Sequence, residues 1–215
     1  MNVLVIGANG QIGKQIIELA KEENDVAVTA MVRKQDQVEA FQAVGTQAVL
    51  ADLEGSVEHL QKAMEGIDAV VFTAGSGSHT GADKTILVDL DGAVKAVEAA
   101  EQAGVDRFIM ISAFRAHDRD AWAESPIKHY MAAKHYADRF LVTSKLNYTI
   151  LRPGRLLNEP GIGKVQAGEL TTYGSIPRED VAKTVVHSLR HSNTYRRSFD
   201  LLSGEDTIEA ALDHL

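Results

Sequence analysis

Three residues able to move a proton at an oxygen occur in order along this chain: Ser112, Tyr130 and Lys134. Tyr130 and Lys134 stand four apart in Tyr-Met-Ala-Ala-Lys, a spacing that puts both on one face of a helix. An ammonium beside a phenol lowers the phenol's pKa, which makes Tyr130 a usable general acid at a carbonyl oxygen. Ser112 follows the apolar run that ends at Ile111 and could donate a hydrogen bond to that same oxygen. A Tyr and a Lys at this spacing are common on helices that only pack, so the trio gains weight from its surroundings alone. His129 and His135 flank the pair, while His79 and His117 fall in predicted loops. No third ligand converges on any of them, and no metal site is expected.

The surroundings begin with Gly7-Ala8-Asn9-Gly10-Gln11-Ile12-Gly13, set between a first strand and a first helix. In that context Gly7 permits a tight turn, Gly10 lets backbone approach a pyrophosphate, and Gly13 allows close helix–strand packing. The helix end offers unpaired N–H groups and a positive dipole to phosphate. A nicotinamide dinucleotide is therefore expected over Gly7, Asn9, Gly10, Gln11, Ile12 and Gly13. The second strand ends in Met31-Val32-Arg33-Lys34, with no acid before Asp36. Arg33 can fork onto a 2′-phosphate with Lys34 as a second charge, so NADP is expected, with NAD as the alternative. Asp52 and Leu53 follow the third strand and are placed to cap the adenine. Thr73, Ala74 and Gly75 follow the fourth and keep the channel open with small side chains. Lys134 could also hold the nicotinamide ribose.

These residues need a scaffold that gathers strand ends, and the apolar pattern supplies it. Strands are predicted at Val3–Ile6, Val26–Val32, Gln47–Leu50, Ala69–Thr73, Arg107–Ile111, Tyr148–Leu151 and Phe199–Leu202. Helical patterns alternate with them, among them Lys84–Gly104, Pro126–Ser144, Arg178–Leu189 and the tail Thr207–Leu215. Ala74–Gly81 and Gly154–Ser175 read as loops, and Pro153 as the end of regular structure. Strands alternating with helices imply βαβ crossovers: an α/β, Rossmann-like, doubly wound parallel sheet covered on both faces. One NAD(P)-binding domain is expected over residues 1–215, with 154–215 supplying a small cap and the last strand.

Composition narrows the partners. Thirty acidic against 22 basic residues give a net charge of -8, a field that repels nucleic acid. The absence of cysteine excludes disulfides, thiolate metal sites and thiol nucleophiles. No signal-peptide pattern precedes the first strand, and no apolar run approaches the roughly 20 residues of a membrane span. A cytoplasmic protein acting on a small molecule is expected, without nucleic-acid or membrane partners, as a monomer or weak homodimer.

Taken together, these motifs resemble the atypical short-chain dehydrogenase/reductase family, near its small NmrA-like and biliverdin/flavin-reductase-related members. The resemblance spans essentially the whole chain, through the glycine loop, Arg33, Asp52-Leu53, Ser112 and Tyr130 with Lys134. It continues in Arg152-Pro153-Gly154, in Ile176–Ala182 and in Gly204 with Ile208–Ala211. It implies a seven-stranded sheet in order 3-2-1-4-5-6-7, Pro153 beside the nicotinamide, and Tyr130 with Lys134 as the active pair. Two departures stand out. The loop after strand four lacks the family's Asn, and Asp89 and Asp91 stand where the better-known enzymes place a catalytic Asn. The short cap argues against a bulky nucleotide-sugar. The resemblance implies an NAD(P)H-dependent reductase of a small carbonyl, quinone or flavin-like acceptor. The alternatives are an NADP(H)-sensing regulator with a protein partner, or a small epimerase or isomerase.

Overall fold

Along the first strand Val3 and Val5 pack into one core while Leu4 and Ile6 pack into another, all four fully buried. A strand apolar on both faces belongs inside a sheet with helices on each side. That is the arrangement in the computed structural model, which describes residues 1–77 and 79–215; Ser78, in the predicted loop after strand four, lies outside them.

With strands numbered in chain order, β1 (Asn2–Ile6) lies between β2 (Ala27–Val32) and β4 (Ala69–Phe72). β3 (Gln47–Leu50) pairs outside β2. On the other side follow β5 (Arg107–Ile111), β6 (Asn147–Pro153) and β10 (Arg197–Ser203), all parallel. The order β3-β2-β1-β4-β5-β6-β10 is the expected 3-2-1-4-5-6-7, with β10 as its seventh member. The chain reverses direction across the sheet between β1 and β4, which opens a crevice at the strands' carboxyl ends.

The carboxyl-terminal part is more ordered than its sequence suggests. β8 (Lys164–Gly168) runs antiparallel to β10, and β11 (Asp206–Thr207) antiparallel to β8. β7 (Arg155–Leu157) and β9 (Ser175–Pro177) form a separate parallel pair. Segments this short carry no readable periodicity; distant partners make them strands. Pro153 does not end regular structure, being the last residue of β6 and aligned with Leu201. Proline removes only a donor, and the Pro153 carbonyl still accepts from the Phe114 N–H at 3.1 Å.

One face of the sheet is covered by α1 (Gln11–Lys21) and α7 (Arg178–Ser188). The other is covered by α3 (Val57–Ala63), α5 (Gly92–Ala103) and α6 (Lys128–Thr143). The helix predicted from Lys84 is not uniform. A single turn, α4 (Ala82–Lys84), leads into a π-helical stretch, Thr85–Asp91, before α5 begins. Such stretches shift the side-chain phase and recur at functional sites. Here Asp89 turns inward to 1% exposure, while Asp91 stays in solvent and pairs with Lys95 at 2.8 Å. Among the described residues no helix is long and apolar enough to cross a membrane.

Candidate active site

Two cavities open at the carboxyl ends of the strands. The first, of about 630 Å³, lies over β1 to β4 and is lined by Gly7, Asn9, Gly10, Arg33, Asp52 and Leu53, together with Thr73, Ala74 and Gly75. Gly7 has φ +86°, and a Cβ there would stand 2.6 Å from the Ala74 nitrogen. A Cβ on Gly13 would stand 2.4 Å from the Gly7 carbonyl oxygen. Packing of the chain on itself explains both. Gly10 differs: it is exposed, and a Cβ would meet only the Gly7 oxygen, at 3.1 Å. Its bareness leaves an open cradle over the first turn of α1, whose N–H groups have no side-chain cap. The loop therefore fits a pyrophosphate on the helix end. Gln11, Ile12 and Gly13 do not line the cavity; Ile12 faces the core, and the first-turn backbone is what this segment offers.

Arg33 lines the rim, is exposed, and joins no ion pair among the described residues. Lys34 is the residue before α2 (Gln35–Ala43) and is not among the residues that line the cavity. Asp52 lines the cavity, but its Oδ1 folds back to accept from the Glu54 N–H at 3.0 Å. His79 also lines this cavity, whereas His117 is exposed and lines neither.

The second cavity, of about 780 Å³, lies beyond β5 and β6 and is lined by Ser112, Tyr130 and Pro153. Ser112 is 4% exposed; its Oγ makes no close hydrogen bond among the described residues, and its hydroxyl interacts with the Asp138 carboxylate, whose pKa it helps to lower. Lys134 lies buried behind Tyr130, its Nζ donating to the Ile111 carbonyl at 3.2 Å. That nitrogen is 5.7 Å from the Tyr130 ring centre and 3.6 Å from Asp89 Oδ1. The structure thus gathers the three predicted residues and adds a carboxylate. Asp89 Oδ2 accepts from the Ser76 N–H at 3.0 Å, so one side chain ties Lys134 to the wall of the first cavity.

The electrostatics differ from the sequence expectation in one respect. Burial drives the Tyr130 phenol above its ordinary pKa, and the Lys134 ammonium, pulling downward, does not outweigh it; Asp89 and Asp138 push further up. Tyr130 is accordingly a protonated phenol, set to donate. Burial opposes the charge on Lys134, but Tyr130, Asp89 and Asp138 together raise its pKa and keep it an ammonium.

Asp138, buried and one turn beyond Lys134, was not singled out from the sequence. Its Oδ2 accepts from Arg152 Nε at 2.9 Å; burial pushes its pKa up and prevails over the Arg152 guanidinium, the Ser112 hydroxyl and Lys134, which pull it down. The signal was present, since residues 130, 134 and 138 continue one spacing of four. Asp89 was visible only as a departure from the family's Asn, because its inward turn depends on the π-helical phase. His135 supports the fold: its Nδ1 meets the Ala116 carbonyl at 2.8 Å. The cavity's walls are Phe114, Trp122, Leu156 and Tyr173, the Phe114 and Tyr173 rings 5.2 Å apart. Asp200 on β10 accepts from the N–H groups of Arg115 and Leu170, at 2.9 and 3.3 Å, and so pins the two bordering loops.

A family described as NAD(P)H-binding matches residues 7–192. The chain is 54% identical over 215 residues to an uncharacterized sugar epimerase of Bacillus subtilis, YhfK, with 100% of each chain covered. A solved structure from Bacillus halodurans, described as a putative NAD-dependent epimerase/dehydratase, superposes with a TM-score of 0.91 at 41% identity, covering 100% of both chains. The structure of the oxidoreductase ylbE from Lactococcus lactis superposes with a TM-score of 0.89 at 30% identity, covering 100% of this chain and 96% of that one.

Proposed function

The chain belongs to the NAD(P)H-binding family, among atypical members related to NmrA-like and biliverdin/flavin-reductase-type proteins, and on that premise we propose that it is an enzyme of carbinol–carbonyl chemistry. NAD(P) is its cofactor, and when bound supplies or takes up hydride at the substrate carbon. The residues of the second cavity do the rest. Ser112 orients the substrate oxygen with its hydroxyl. Tyr130 passes a proton to that oxygen or takes it back, and the Lys134 ammonium steadies the phenolate left behind. The observation that carries this reading is the buried Lys134, fixed by Asp89 and Ile111 under Tyr130. Residues 1–215 act as one NAD(P)-binding unit, with 154–215 walling the second cavity.

The descriptions of two full-length relatives, a sugar epimerase and a putative epimerase/dehydratase, favour epimerisation, in which hydride leaves and returns to the same carbon. The protonated Tyr130 favours the second reading, net reduction of a carbonyl. The test incubates the protein with NADP or NADPH and a panel of small hydroxy-sugars, ketones, aldehydes, quinones and flavins. Stereochemical scrambling without accumulation of reduced cofactor supports epimerisation; steady consumption of NADPH supports reduction. Tyr130→Phe should lower kcat on either by about 10²–10⁴-fold while NADP affinity stays nearly constant. Tight NADP binding with no turnover of any compound would replace both readings with that of a cofactor-sensing regulator.

Arg33 is the proposed reason for an NADP preference. Its loss in Arg33→Ala should weaken NADP binding by roughly tenfold to a hundredfold and leave NAD binding little changed, as calorimetry would show. Equal affinities in the unmodified protein would remove the assignment.

A further inference from the structure

The second cavity has a charge pattern at odds with the rest of the molecule. None of its lining residues is acidic, in a chain that carries 30 Asp and Glu. Two lining residues are arginines, Arg155 and Arg178. Arg155 is exposed on β7, and no hydrogen bond or ion pair of its side chain is present among the described residues. Arg178, half-buried at the start of α7, meets only a neutral partner, the Asn158 Oδ1 at 2.7 Å. The pairing of β7 with β9 sets Arg155 opposite Ser175, three residues before Arg178, and both arginines line the cavity. The same cavity is lined by the buried Ser112 and by the apolar side chains of Phe114, Trp122 and Leu156.

We infer that this cavity takes a small substrate with one terminal oxyanion, a carboxylate or a phosphate monoester, held by Arg155 and Arg178 while its reacting oxygen meets Ser112 and Tyr130. This rests on the carbinol–carbonyl reading above for the reacting end only. A net charge of -8 repels anions at long range, so any preference for them must arise locally from these two side chains. Guanidinium suits either oxyanion because its fork can donate two parallel N–H bonds. The apolar midsection suits the body of the substrate, an aromatic ring or the C–H face of a short polyol.

Trp122 is the chain's single tryptophan and lines this cavity, so its fluorescence reports occupancy without turnover. The full-length protein, with and without NADP, is titrated with 4-nitrophenyl phosphate, 4-nitrobenzoate and neutral 4-nitrobenzyl alcohol, whose nitroarene rings quench tryptophan. At least one anionic probe should bind about tenfold or more tightly than the alcohol. The stronger of the two assigns phosphate or carboxylate. Arg155→Gln and Arg178→Gln should each remove most of that preference and leave the alcohol's Kd within about twofold. Arg178 begins a helix; if its variant unfolds, Arg155→Gln decides alone, since that exposed side chain makes no hydrogen bond or ion pair among the described residues. Equal binding of charged and neutral probes, or an Arg155→Gln variant with its anion preference intact, would overturn the inference. A protein that prefers anions here yet turns nothing over defeats the catalytic reading and leaves this one standing. Turnover that is indifferent to substrate charge does the reverse.

Discussion

Two buried cations sit at opposite edges of the same sheet, and they are held in different ways. Arg107 opens β5 at the amino edge, 1% exposed. Its terminal nitrogens donate to the Asn147 and Ser188 carbonyls, at 2.6 and 2.7 Å, and to the Thr149 and Thr194 hydroxyls, at 2.6 and 3.0 Å. It also stacks over Tyr195, 4.5 Å from the ring centre. Burial without a bonded carboxylate brings its pKa down to about 10. Lys134, at the carboxyl edge, makes one hydrogen bond, to the Ile111 carbonyl, and one longer ion pair, to an Asp89 Oδ1 that accepts no hydrogen bond among the described residues. Arg107 leaves only its Nε unpartnered. Saturated donors fix a fold in place; a charge with few bonds keeps its field free to act on a neighbouring group, here the Tyr130 ring 5.7 Å away.

That contrast can be broken by substitution, most sharply at Arg107. Arg107→Ala removes bonds that join β5, β6 and the end of α7, and should destabilise the protein by about 3–5 kcal/mol in urea unfolding. The folded fraction should bind NAD(P) as before. Lys134→Met keeps most of the volume, and the Asp89 carboxyl it leaves without a cation can take up a proton and keep its Ser76 bond, so its stability loss should be smaller. It should nevertheless slow turnover by about 10²-fold or more and weaken NAD(P) binding. Equal destabilisation by the two variants would erase the distinction between a structural and a functional cation.

The smallest expected effect, and the most informative about the acid, belongs to Asp89→Asn. The amide can still accept from Ser76, so the loop should stay in place, and turnover should fall by only about tenfold. Its negative charge raises the pKa of both Tyr130 and Lys134. Reduction requires protonated Tyr130, so the rate declines as pH rises through that pKa. Without the Asp89 charge the phenol ionises more readily, and the alkaline limb of the pH–rate profile should move to lower pH. A limb that stays in place, or moves upward, would show that Asp89 does not act on the proton donor.

How much of this was legible in the residues varies with the range of the interaction. The glycine loop, the alternation of strands with helices and the Tyr130–Lys134 pair could be read because each rests on local spacing. The strand order 3-2-1-4-5-6-7, made by distant pairings, came instead with the family resemblance. Period-2 and period-3.6 apolar patterns fix which faces are buried, and a spacing of four fixes which helical side chains are neighbours. Gly13 answers to the nearby Gly7 and Ala8 backbone, whereas Gly7 is required by Thr73 and Ala74, far along the chain. Pro153 was misread as a terminator because the pairing of β6 with β10 is made far along the chain. The strands within residues 154–175 escaped notice for the same reason.

What the amino-acid order determined by itself was the scaffold and the types of residue at its carboxyl edge. Tertiary structure alone decided their state. It selected Asp89 over Asp91 through a π-helical turn, set Asp138 against Arg152, and put Arg155 and Arg178 on the wall of one cavity. It also reversed the net shift of the Tyr130 phenol, because desolvation depends on everything packed around the ring and one neighbouring ammonium does not outweigh it. Periodicity is a property of neighbours in sequence; burial and electrostatics sum over neighbours in space.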